Sequence, residues 1–375
     1  MDKNIHRNEP TATAVKEILV VHPYLDVIGG AEEVLLKILE VLTLRMQNVS
    51  LISELPSGSI FDTLPLSSVK QIPYNSKVHF KPKRFQAYQR LWRHLTLAYK
   101  LRRKVGNVVL EINTRDPMYF IGASKKRIAY VHFPQNLTCM QKTGHKHQWF
   151  WKLFYWPNTF QLRRQIKKTS LIMCNSLYTQ NAIMTYWGRK AEVVYPPVDI
   201  EAFKPILKEP LIVSVGRFSP EKNYELIVQV AKQMPNVHFI IVGRKLLGDS
   251  YYDKIVALKP DNLDLETNIT RDELSALLGR AKIYLHSMIG EHFGISVVEA
   301  MAAGCIPVVH NSGGPKETCE TIGFLYNNIE ECVKAIDKAL QSNVNPQNIV
   351  ENAKVFSADN FKKNFIASLE RNGFL

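Results

Sequence analysis

The sequence has few cysteines, no long hydrophobic run and no Asp-x-Asp pattern, and each absence excludes a class of protein. The five cysteines form no Cys-x-x-Cys pair, which argues against a disulfide framework or a structural zinc site and favours a reducing cytosol. No run approaches the ~18–20 apolar residues of a membrane-spanning helix. Residues 1–15 lack the apolar core of a signal peptide, and we expect a loose tail there. Without Asp-x-Asp we expect no bound metal.

Acidic residues are scarce in the first half of the chain, although the whole chain carries a net charge of +14. Residues 77–190 contain 23 Lys and Arg but only two acidic residues, Glu111 and Asp116. Residues 201–375, in contrast, contain 19 basic and 21 acidic residues. The first half is therefore expected to present a strongly positive surface to an anionic partner.

Two basic segments in this half are also rich in aromatic residues. In residues 81–104, Phe85, Trp92 and Tyr99 lie along one face of a predicted helix. Residues 146–168 contain a cluster of aromatic residues and then a group of Arg and Lys residues. Rings at headgroup depth and cations against anionic lipid would form an interfacial membrane patch. The alternative is an ordinary helix with a buried apolar stripe and a solvated basic face.

Hydrophobic periodicity predicts alternating strands and helices throughout the chain. A strand at 16–25, a turn containing Gly29-Gly30 and a helix at 31–46 form the first unit, and the two glycines let the backbone approach a ligand. A second array begins with a strand at 210–218, where Ser219-Pro220 are expected to cap a helix at 221–234. Further apolar segments predict strands at 49–53, 108–112, 128–132, 171–174, 236–244 and 282–286, and helices are expected at 271–279 and 357–374.

This alternation is typical of two doubly wound, Rossmann-like α/β domains that face each other across a cleft. We predict an N-terminal acceptor-binding domain over 1–200, a nucleotide-sugar-binding domain over 201–356 and a terminal helix over 357–375. One arrangement open to that helix is packing back on the N-terminal domain. Ligands are expected at the carboxyl ends of the strands.

The stretch 286–319 carries the clearest functional signal. A strand ending near His286 is followed by a loop, a helix over 295–303 and a strand over 306–310, with Gly304 at the helix C-terminus. A strand, a glycine-containing loop and a helix present backbone N–H groups to an anion. Glu291 and Glu299 would repel that anion, so they are expected to bind another part of the same ligand. A sugar nucleotide has both phosphates and vicinal hydroxyls.

Several motifs together resemble the retaining glycosyltransferases of family four, which have the GT-B fold. They are Gly29-Gly30, GRFSPEKN (216–223), VGR (242–244), EHFGISVVEAMAAGCIPVV (291–309) and SGGPKE (312–317). The seven-residue spacing between Glu291 and Glu299 is that family's signature. Within the family, YVHFP (130–134) and residues 292–317 are most similar to the lipid-linked-oligosaccharide α-1,2-mannosyltransferases, which use GDP-mannose.

The resemblance assigns roles to individual residues. Arg217 and Lys222 would stabilise the charge that develops on a leaving nucleoside diphosphate. Glu299 would accept the hydroxyls of the ribose, and Glu291 would accept sugar hydroxyls near the anomeric carbon. His132 would lie beside the donor sugar.

Other residues are expected to line the donor site. The backbone N–H groups of Phe293, Gly294 and Ile295 would face phosphate or sugar, and Gly29 and Gly30 would also approach the donor. Arg244 and residues 267–269 are expected near the nucleobase, and Asn175-Ser176 could line the cleft.

The resemblance implies a metal-independent hexosyltransferase that moves mannose from GDP-mannose to a lipid-linked glycan with retention. The implied location is the cytoplasmic face of an anionic membrane, contacted by 81–104 and 146–168, with no cofactor and no nucleic acid. One alternative is a UDP-sugar-dependent glucosyl- or N-acetylglucosaminyltransferase of the same fold. More distant alternatives are a sugar-nucleotide epimerase and a basic nucleic-acid-binding protein, although no nucleic-acid motif accompanies the positive charge.

Overall fold

The described residues form two parallel β-sheets of seven and six strands. The computed structural model describes residues 16–25, 29–46, 48–54, 68–74, 86–102, 104–134, 148–245, 248 and 250–375, and the following statements concern these residues. The predicted tail at 1–15, Phe85 and Cys139 lie outside them. The chain divides into two compact units. The first comprises Met1–Ile28, Leu39–Ala129 and Thr143–Leu171, and the second comprises Gly29–Ile38, Tyr130–Lys142 and Ile172–Leu375.

The first sheet has the strand order β3-β2-β1-β4-β5-β6-β7. Its strands are β1 Glu17–Tyr24, β2 Val49–Glu54, β3 Val69–Tyr74, β4 Val108–Asn113, β5 Arg127–Val131, β6 Leu171–Cys174 and β7 Glu192–Val193. The run Ile18–Val21 in β1 is almost completely buried. A continuous apolar run of this kind is typical of a central parallel strand covered on both faces.

The second sheet has the strand order β10-β9-β8-β11-β12-β13. Its strands are β8 Glu209–Val215, β9 His238–Gly243, β10 Leu263–Thr267, β11 Ala281–His286, β12 Ile306–His310 and β13 Phe324–Tyr326. The direction of the chain through this sheet reverses between β8 and β11, as it does between β1 and β4 in the first sheet. In such sheets, ligands bind outside the carboxyl ends of the strands at this switch point.

The helices lie between these strands or follow them. They are α1 Gly30–Arg45, α2 Gln86–Leu101, α3 Gln148–Lys168, α4 Leu177–Trp187, α5 Tyr224–Gln233, α6 Ser250–Leu258, α7 Arg271–Arg280, α8 Ile295–Ala302, α9 Gly314–Cys319, α10 Ile329–Gln341, α11 Pro346–Ala353 and α12 Ala358–Arg371. The predicted fold class of two parallel α/β domains is confirmed, and most predicted elements lie within two residues of their observed bounds. The domain boundaries predicted from the sequence stay a prediction.

The helix predicted over 221–234 is wrong at its start. Residues Pro220–Lys222 form a 3₁₀-helix, and Asn223 then adopts a left-handed conformation with φ of 52°. Because an α-helix cannot continue through a left-handed residue, α5 begins only at Tyr224. The Ser219 side chain makes no capping hydrogen bond there, so it is not the predicted cap.

One carboxylate of the first sheet is completely buried and is bound by neighbouring protein groups. Glu111 on β4 is fully buried, and its two oxygens accept hydrogen bonds from consecutive backbone N–H groups between Ile121 and Ser124. The Arg127 guanidinium lies 3.7 Å away. Backbone amides and one arginine thus satisfy this acidic group, which fixes the loop before β5.

Helices α2 and α3 pack together in the first unit and leave an apolar surface exposed. Tyr88 meets Phe154 edge-on with ring centroids 4.8 Å apart. Large side chains nevertheless remain in solvent, namely Trp92, Leu95 and Tyr99 of α2 and Leu153, Trp156 and Phe160 of α3. Other apolar residues of the same helices, namely Leu101, Leu162 and Ile166, are buried, and both interpretations of these helices stay predictions. Within the described residues, no helix is both long and apolar enough to cross a membrane.

Helix α12 contacts residues that precede it by more than 170 positions. The Ser368 hydroxyl donates to the Glu192 carboxylate at 2.6 Å, and the Asn372 amide donates to the same carboxylate at 2.9 Å. Phe361 also packs against Tyr130, with ring centroids 6.2 Å apart. The last helix is therefore an integral part of the second unit.

Candidate functional site

The predicted site residues all belong to the second compact unit. Arg217 and Lys222 follow β8, Arg244 follows β9, and Glu291 follows β11. These positions surround the switch point of the second sheet, where a ligand is expected. Several residues predicted separately from the sequence are therefore clustered at the end of the sheet.

The most closely associated pair is Lys222 and Glu291. The Lys222 Nζ lies 2.6 Å from the Glu291 Oε2, and both side chains are only 16% exposed. Burial raises the pKa of Glu291, but the Lys222 ammonium and neighbouring histidines outweigh it and lower that pKa to about 2. The pair is thus an ion pair at any physiological pH, and Glu291 is unsuited to act as a general acid.

The loop that carries Glu291 is held by the glycines that follow β12. The Gly314 N–H donates to the Glu291 carbonyl at 2.8 Å, and the Gly290 N–H donates to the Ser312 hydroxyl at 2.9 Å. A Cβ at Gly314 would overlap the backbone of His292. The close approach of these two segments therefore requires glycine.

His286, at the end of β11, lies beneath this loop. Its ring is 3% exposed, and its Nε2 lies 3.9 Å from the Glu291 Oε2. Burial lowers the pKa of His286 to about 4, although the Glu291 charge opposes that shift. The imidazole is therefore neutral at pH 7. In the sequence, nothing distinguishes His286 from an ordinary residue at the end of a strand.

Glu299 lies in the second turn of α8 in a different environment. Its side chain is 13% exposed, and its Oε1 lies 3.5 Å from the Arg271 Nη1. Burial raises the pKa of Glu299 to about 7, with Glu33 and Asp199 adding to the effect and Arg271 opposing it. Glu299 is consequently a carboxyl group that changes charge near neutral pH.

A pocket of about 470 Å³ opens beside these residues at the ends of β8 and β9. It is lined by Val215, Gly216, Arg217, Val242, Gly243, Arg244, Asn268, Ile269 and Leu274. Its floor is apolar, and its rim carries two guanidinium groups. Such a pocket can take a planar ring whose edge carries hydrogen-bond acceptors.

Arg217 is far more exposed than Lys222. Its side chain is 75% exposed, and its guanidinium lies 3.6 Å from the Glu221 carboxylate. An exposed pair of this kind contributes little to stability. Arg217 can therefore exchange this partner for a ligand at little cost.

His132 and Ser176 lie at the ends of β5 and β6. The His132 carbonyl accepts from the Thr179 hydroxyl at 3.1 Å, while the Ser176 hydroxyl lies 2.7 Å from the His292 carbonyl. The Phe133 ring stacks on the His292 ring with centroids 4.1 Å apart. These contacts join the strand ends of β5 and β6 to the loop of Glu291. Asn175, also predicted, is buried beside Ser176.

The predicted glycines and backbone groups are close to α8. The Gly29 N–H donates to the Glu32 carboxylate at 3.0 Å, and a Cβ on Gly30 would collide with Ile295. Gly294 is the left-handed residue that starts α8, with φ of 89°, and Phe293 is buried. Gly30 thus serves the close packing of α1 on α8, besides any role toward a ligand.

The charged residues around Glu299 were not predicted from the sequence. Glu33 on α1, Asp199 before β8 and Arg271 on α7 come from three distant segments, and none lies in a recognisable motif. A pair of acidic residues in the first turn of α1 is equally explained by the helix dipole. Burial revealed by the fold is what distinguishes them: burial raises the pKa of Glu33, an effect that Asp199 and Glu32 reinforce and Arg271 opposes.

Comparison with known protein families covers most of the chain. Residues 28–202 match the model described as Glycosyltransferase Family 4. Residues 198–356 match the model described as Glycosyl transferases group 1. The second match includes the ion pair of Lys222 and Glu291.

Curated relatives share about a third of their residues with this chain over the aligned part. The GDP-Man:Man(3)GlcNAc(2)-PP-Dol alpha-1,2-mannosyltransferase of Dictyostelium discoideum is 32% identical over 254 residues, which is 57% of this chain and 50% of the relative. The enzyme of the same name from Homo sapiens is 32% identical over 239 residues, covering 54% and 49% of the two chains. The aligned part thus spans about half the length of these relatives.

Solved structures with the same fold are more distant in sequence. Sucrose-phosphate synthase from Thermosynechococcus elongatus superimposes with a TM-score of 0.73 at 16% identity, over 96% of this chain and 99% of the other. HepE of Anabaena in complex with UDP has a TM-score of 0.70 at 18% identity, over 95% and 100%. These likenesses confirm the predicted GT-B fold. The chain belongs to the glycosyltransferases, with a family 4 domain followed by a group 1 domain.

Proposed function

We propose that this protein is a retaining hexosyltransferase that moves mannose from GDP-mannose to a lipid-linked glycan. The names of the curated relatives support GDP-mannose as the donor and a lipid-linked glycan as the acceptor. The observation that carries the proposal is the partly buried ion pair of Lys222 and Glu291 at the switch point of the second sheet. A largely desolvated cation at this position is suited to a phosphate leaving group.

In this proposal the donor lies along the ends of β8, β9 and β11. The nucleobase occupies the pocket between Arg217 and Arg244, and the ribose hydroxyls donate to Glu299. Lys222 and Arg217 bind the diphosphate. An ammonium has three N–H donors, and Glu291 takes one of them, so two remain for phosphate oxygens.

Transfer breaks the bond between the anomeric carbon and the donor phosphate oxygen, and the electron pair moves to that oxygen. The acceptor hydroxyl oxygen bonds to the anomeric carbon on the same face, and its proton passes to the departing phosphate. Lys222 stabilises the negative charge that grows on this phosphate more in the transition state than in the ground state. Glu291, which Lys222 keeps ionised, accepts hydrogen bonds from hydroxyls of the transferred sugar.

The donor is tested first by binding. A thermal-shift panel of GDP, UDP, GDP-mannose and UDP-glucose should show the largest stabilisation with the guanine compounds, because a bound ligand stabilises by mass action. Transfer is then measured with GDP-mannose and lipid-linked oligosaccharide acceptors. Stabilisation by uridine compounds alone would replace the donor assignment with the UDP-sugar alternative. Turnover of the donor without any acceptor would favour an epimerase.

Independence from metal is part of the same proposal. The support is the sequence, which lacks Asp-x-Asp, and the cations that face the expected phosphate position. Transfer should continue at an unchanged rate in excess EDTA. Loss of turnover that magnesium restores would contradict this part.

Contact with an anionic membrane is proposed for the surface formed by α2 and α3. Trp92 and Tyr99 project from α2, and Trp156 and Phe160 project from α3, with 51–71% of each residue exposed. Exposed basic residues, among them Arg163, accompany them. Aromatic rings beside cations are suited to the headgroup region of anionic lipid.

Vesicle flotation tests this contact. The protein should float with anionic vesicles, less so at high salt, because screening weakens attraction between exposed charges. Changing Trp156 and Phe160 to Ser should reduce flotation, whereas Leu44→Ser, at a side chain that is 77% exposed on α1, is the matched control. Flotation that is absent, or equal with neutral vesicles, would contradict the contact.

A further inference from the structure

Arg271 occupies a position beside Glu299 that the expected donor contacts leave unexplained. Its guanidinium lies 3.3 Å from the Asp199 carboxylate and 3.5 Å from the Glu299 carboxylate. The same group stacks over the Phe203 ring, 5.1 Å from its centroid. A planar cation held by a ring face and two carboxylates has a defined orientation.

The position of Arg271 matters because Glu299 lies among other acids. Glu33 from α1 and Asp199 both act on Glu299 electrostatically, and the Tyr284 hydroxyl on β11 is also close enough to interact. The Arg271 charge acts on both Glu299 and Glu33 and, through an ion pair, on Asp199, whereas Lys37 acts on Glu33. One guanidinium therefore faces three carboxylates.

The charge of Glu299 decides how well it can bind a ribose. An ionised carboxylate accepts hydrogen bonds from both vicinal hydroxyls, whereas a protonated carboxyl uses one oxygen as a donor. The 3.5 Å contact to Arg271 involves Oε1 only. Oε2 is therefore left for the ligand while the cation stays in place.

We propose that Arg271, anchored on Phe203 and Asp199, is the positioning residue that keeps Glu299 charged and oriented for the ribose of a nucleotide donor. The proposal rests on the proposed function for the identity of the ligand. Arg271 itself does not touch the reacting atoms. It acts through Glu299, so its loss affects donor binding at neutral pH more than the chemical step.

The test is GDP binding by calorimetry as a function of pH. In the wild type, affinity should rise between about pH 6 and pH 8 as Glu299 ionises. Arg271→Ala removes the opposing charge, so Glu299 stays protonated to higher pH. A rise of one unit from a pKa of about 7 would lower the ionised fraction of Glu299 at pH 7 from about a half to about a tenth, so affinity there should fall about fivefold. The deficit should shrink by about pH 8.5. Arg271→Lys, which keeps the charge without the fixed plane, should show a smaller loss.

Two controls separate this role from a structural one. The Glu299→Gln variant lacks the carboxylate, so only the titration of GDP itself remains in the pH dependence of binding. Adding Arg271→Ala to this variant should therefore cause little further loss of affinity. With 2′,3′-dideoxy-GDP, which has no vicinal hydroxyls, Arg271→Ala should have no effect.

An affinity loss in Arg271→Ala that is independent of pH, or that adds fully to Glu299→Gln, would overturn the proposal while leaving the proposed function intact. A wild type that binds neither GDP nor UDP would count against the proposed function and would remove the basis of this inference with it.

Discussion

Glu291 and Glu299 belong to one sequence motif, yet the two regions around them are electrostatically opposite. Glu291 is buried against the Lys222 ammonium, which together with nearby histidines lowers its pKa to about 2 despite the burial. Glu299 is buried to a similar degree beside two other acids, and its pKa is raised to about 7. Membership of the motif does not distinguish the two residues. The difference in pKa comes from neighbours that distant segments supply.

This difference fits the different tasks that we propose for the two carboxylates. An ion pair 2.6 Å long fixes the charge and the position of Glu291, as suits a group beside the reacting centre. Glu299 can gain or lose its proton near neutral pH, as suits a reversible binding contact. Neither is arranged as the acid or the base of a pair.

The largest effect is expected when the cation on the Glu291 side is removed. Lys222→Ala should lower turnover at saturating donor by at least about 10²-fold, because one contact to developing charge is lost. The variant leaves Glu291 buried without its cation, so Lys222→Ala with Glu291→Gln is measured alongside. The double variant should regain thermal stability without regaining turnover.

The matched control removes a cation from an exposed pair far from this loop. Arg280 lies 3.4 Å from Glu209, and both side chains are about half exposed. Arg280→Ala should keep both stability and turnover. Near-normal transfer by a folded Lys222→Ala protein would show that Lys222 does not stabilise the leaving group.

The next effect concerns the glycine that holds the Glu291 loop. Gly314→Ala places a Cβ against the backbone of His292 and Phe293, and backbone cannot yield as a side-chain end can. Unfolding free energy should fall by about 2–3 kcal/mol, and turnover should fall with it. Denaturant titration and an activity assay measure the two. A stable, active variant would mean that the two segments separate easily.

Opposite stability effects are expected when each glutamate is changed to glutamine. Glu291 has its folded pKa below the usual 4.5, so it contributes stability above about pH 4.5 that is lost as the pH falls toward 2. Glu299 has its folded pKa above 4.5, so its contribution becomes unfavourable as the pH rises toward and beyond 7. At pH 8, Glu291→Gln should lower Tm and Glu299→Gln should raise it.

Each glutamine substitution is expected to change the free energy of unfolding at pH 8 by about 1–3 kcal/mol. Glu299→Gln should also weaken nucleotide binding, so the gain in stability comes with a loss of function. Melting curves at pH 5 and pH 8 check the sign. A Tm change of the same sign for both variants at pH 8 would remove the distinction between the two regions.

The smallest effect is expected at the glycine on the Glu299 side. A Cβ on Gly30 would meet the Cδ1 of Ile295, the end of a flexible side chain that can rotate away. Gly30→Ala should cost below about 1 kcal/mol, and Ile295→Val should relieve that cost. A loss as large as that of Gly314→Ala would mean that α1 and α8 are as tightly joined as the Glu291 loop.

The sequence predicted the central strands well and the edges poorly. Central strands such as β8 and β11 are continuous apolar runs, which periodicity detects. The edge strands β3, β7, β10 and β13 were missed. Polar residues interrupt the apolar ones in β3, which contains Lys70 and Gln71, and in β10, which contains Asp264 and Glu266, as is common in edge strands. The start of α5 was wrong because the backbone conformation of Asn223, at φ of 52°, is not written in any local pattern.

For the site, the motif located Glu291, Glu299, Arg217 and Lys222, and the fold then brought them to one end of a sheet. What the sequence could not supply is the partner of each residue. Arg271 precedes Glu299 by 28 positions, and nothing local links the two. Charge balance is a property of the folded arrangement. A sequence motif therefore does not reveal the residues that set the pKa values of its glutamates.

The bonds between Glu192 and α12 have a consequence for synthesis. The partners of Glu192 are synthesised long after it: Ser368 comes 176 residues later, and Asn372 comes 180 residues later. At the ~5–20 residues per second of translation, this interval is on the order of ten to forty seconds. During that time the segment around β7 leaves the ribosome without its final partners.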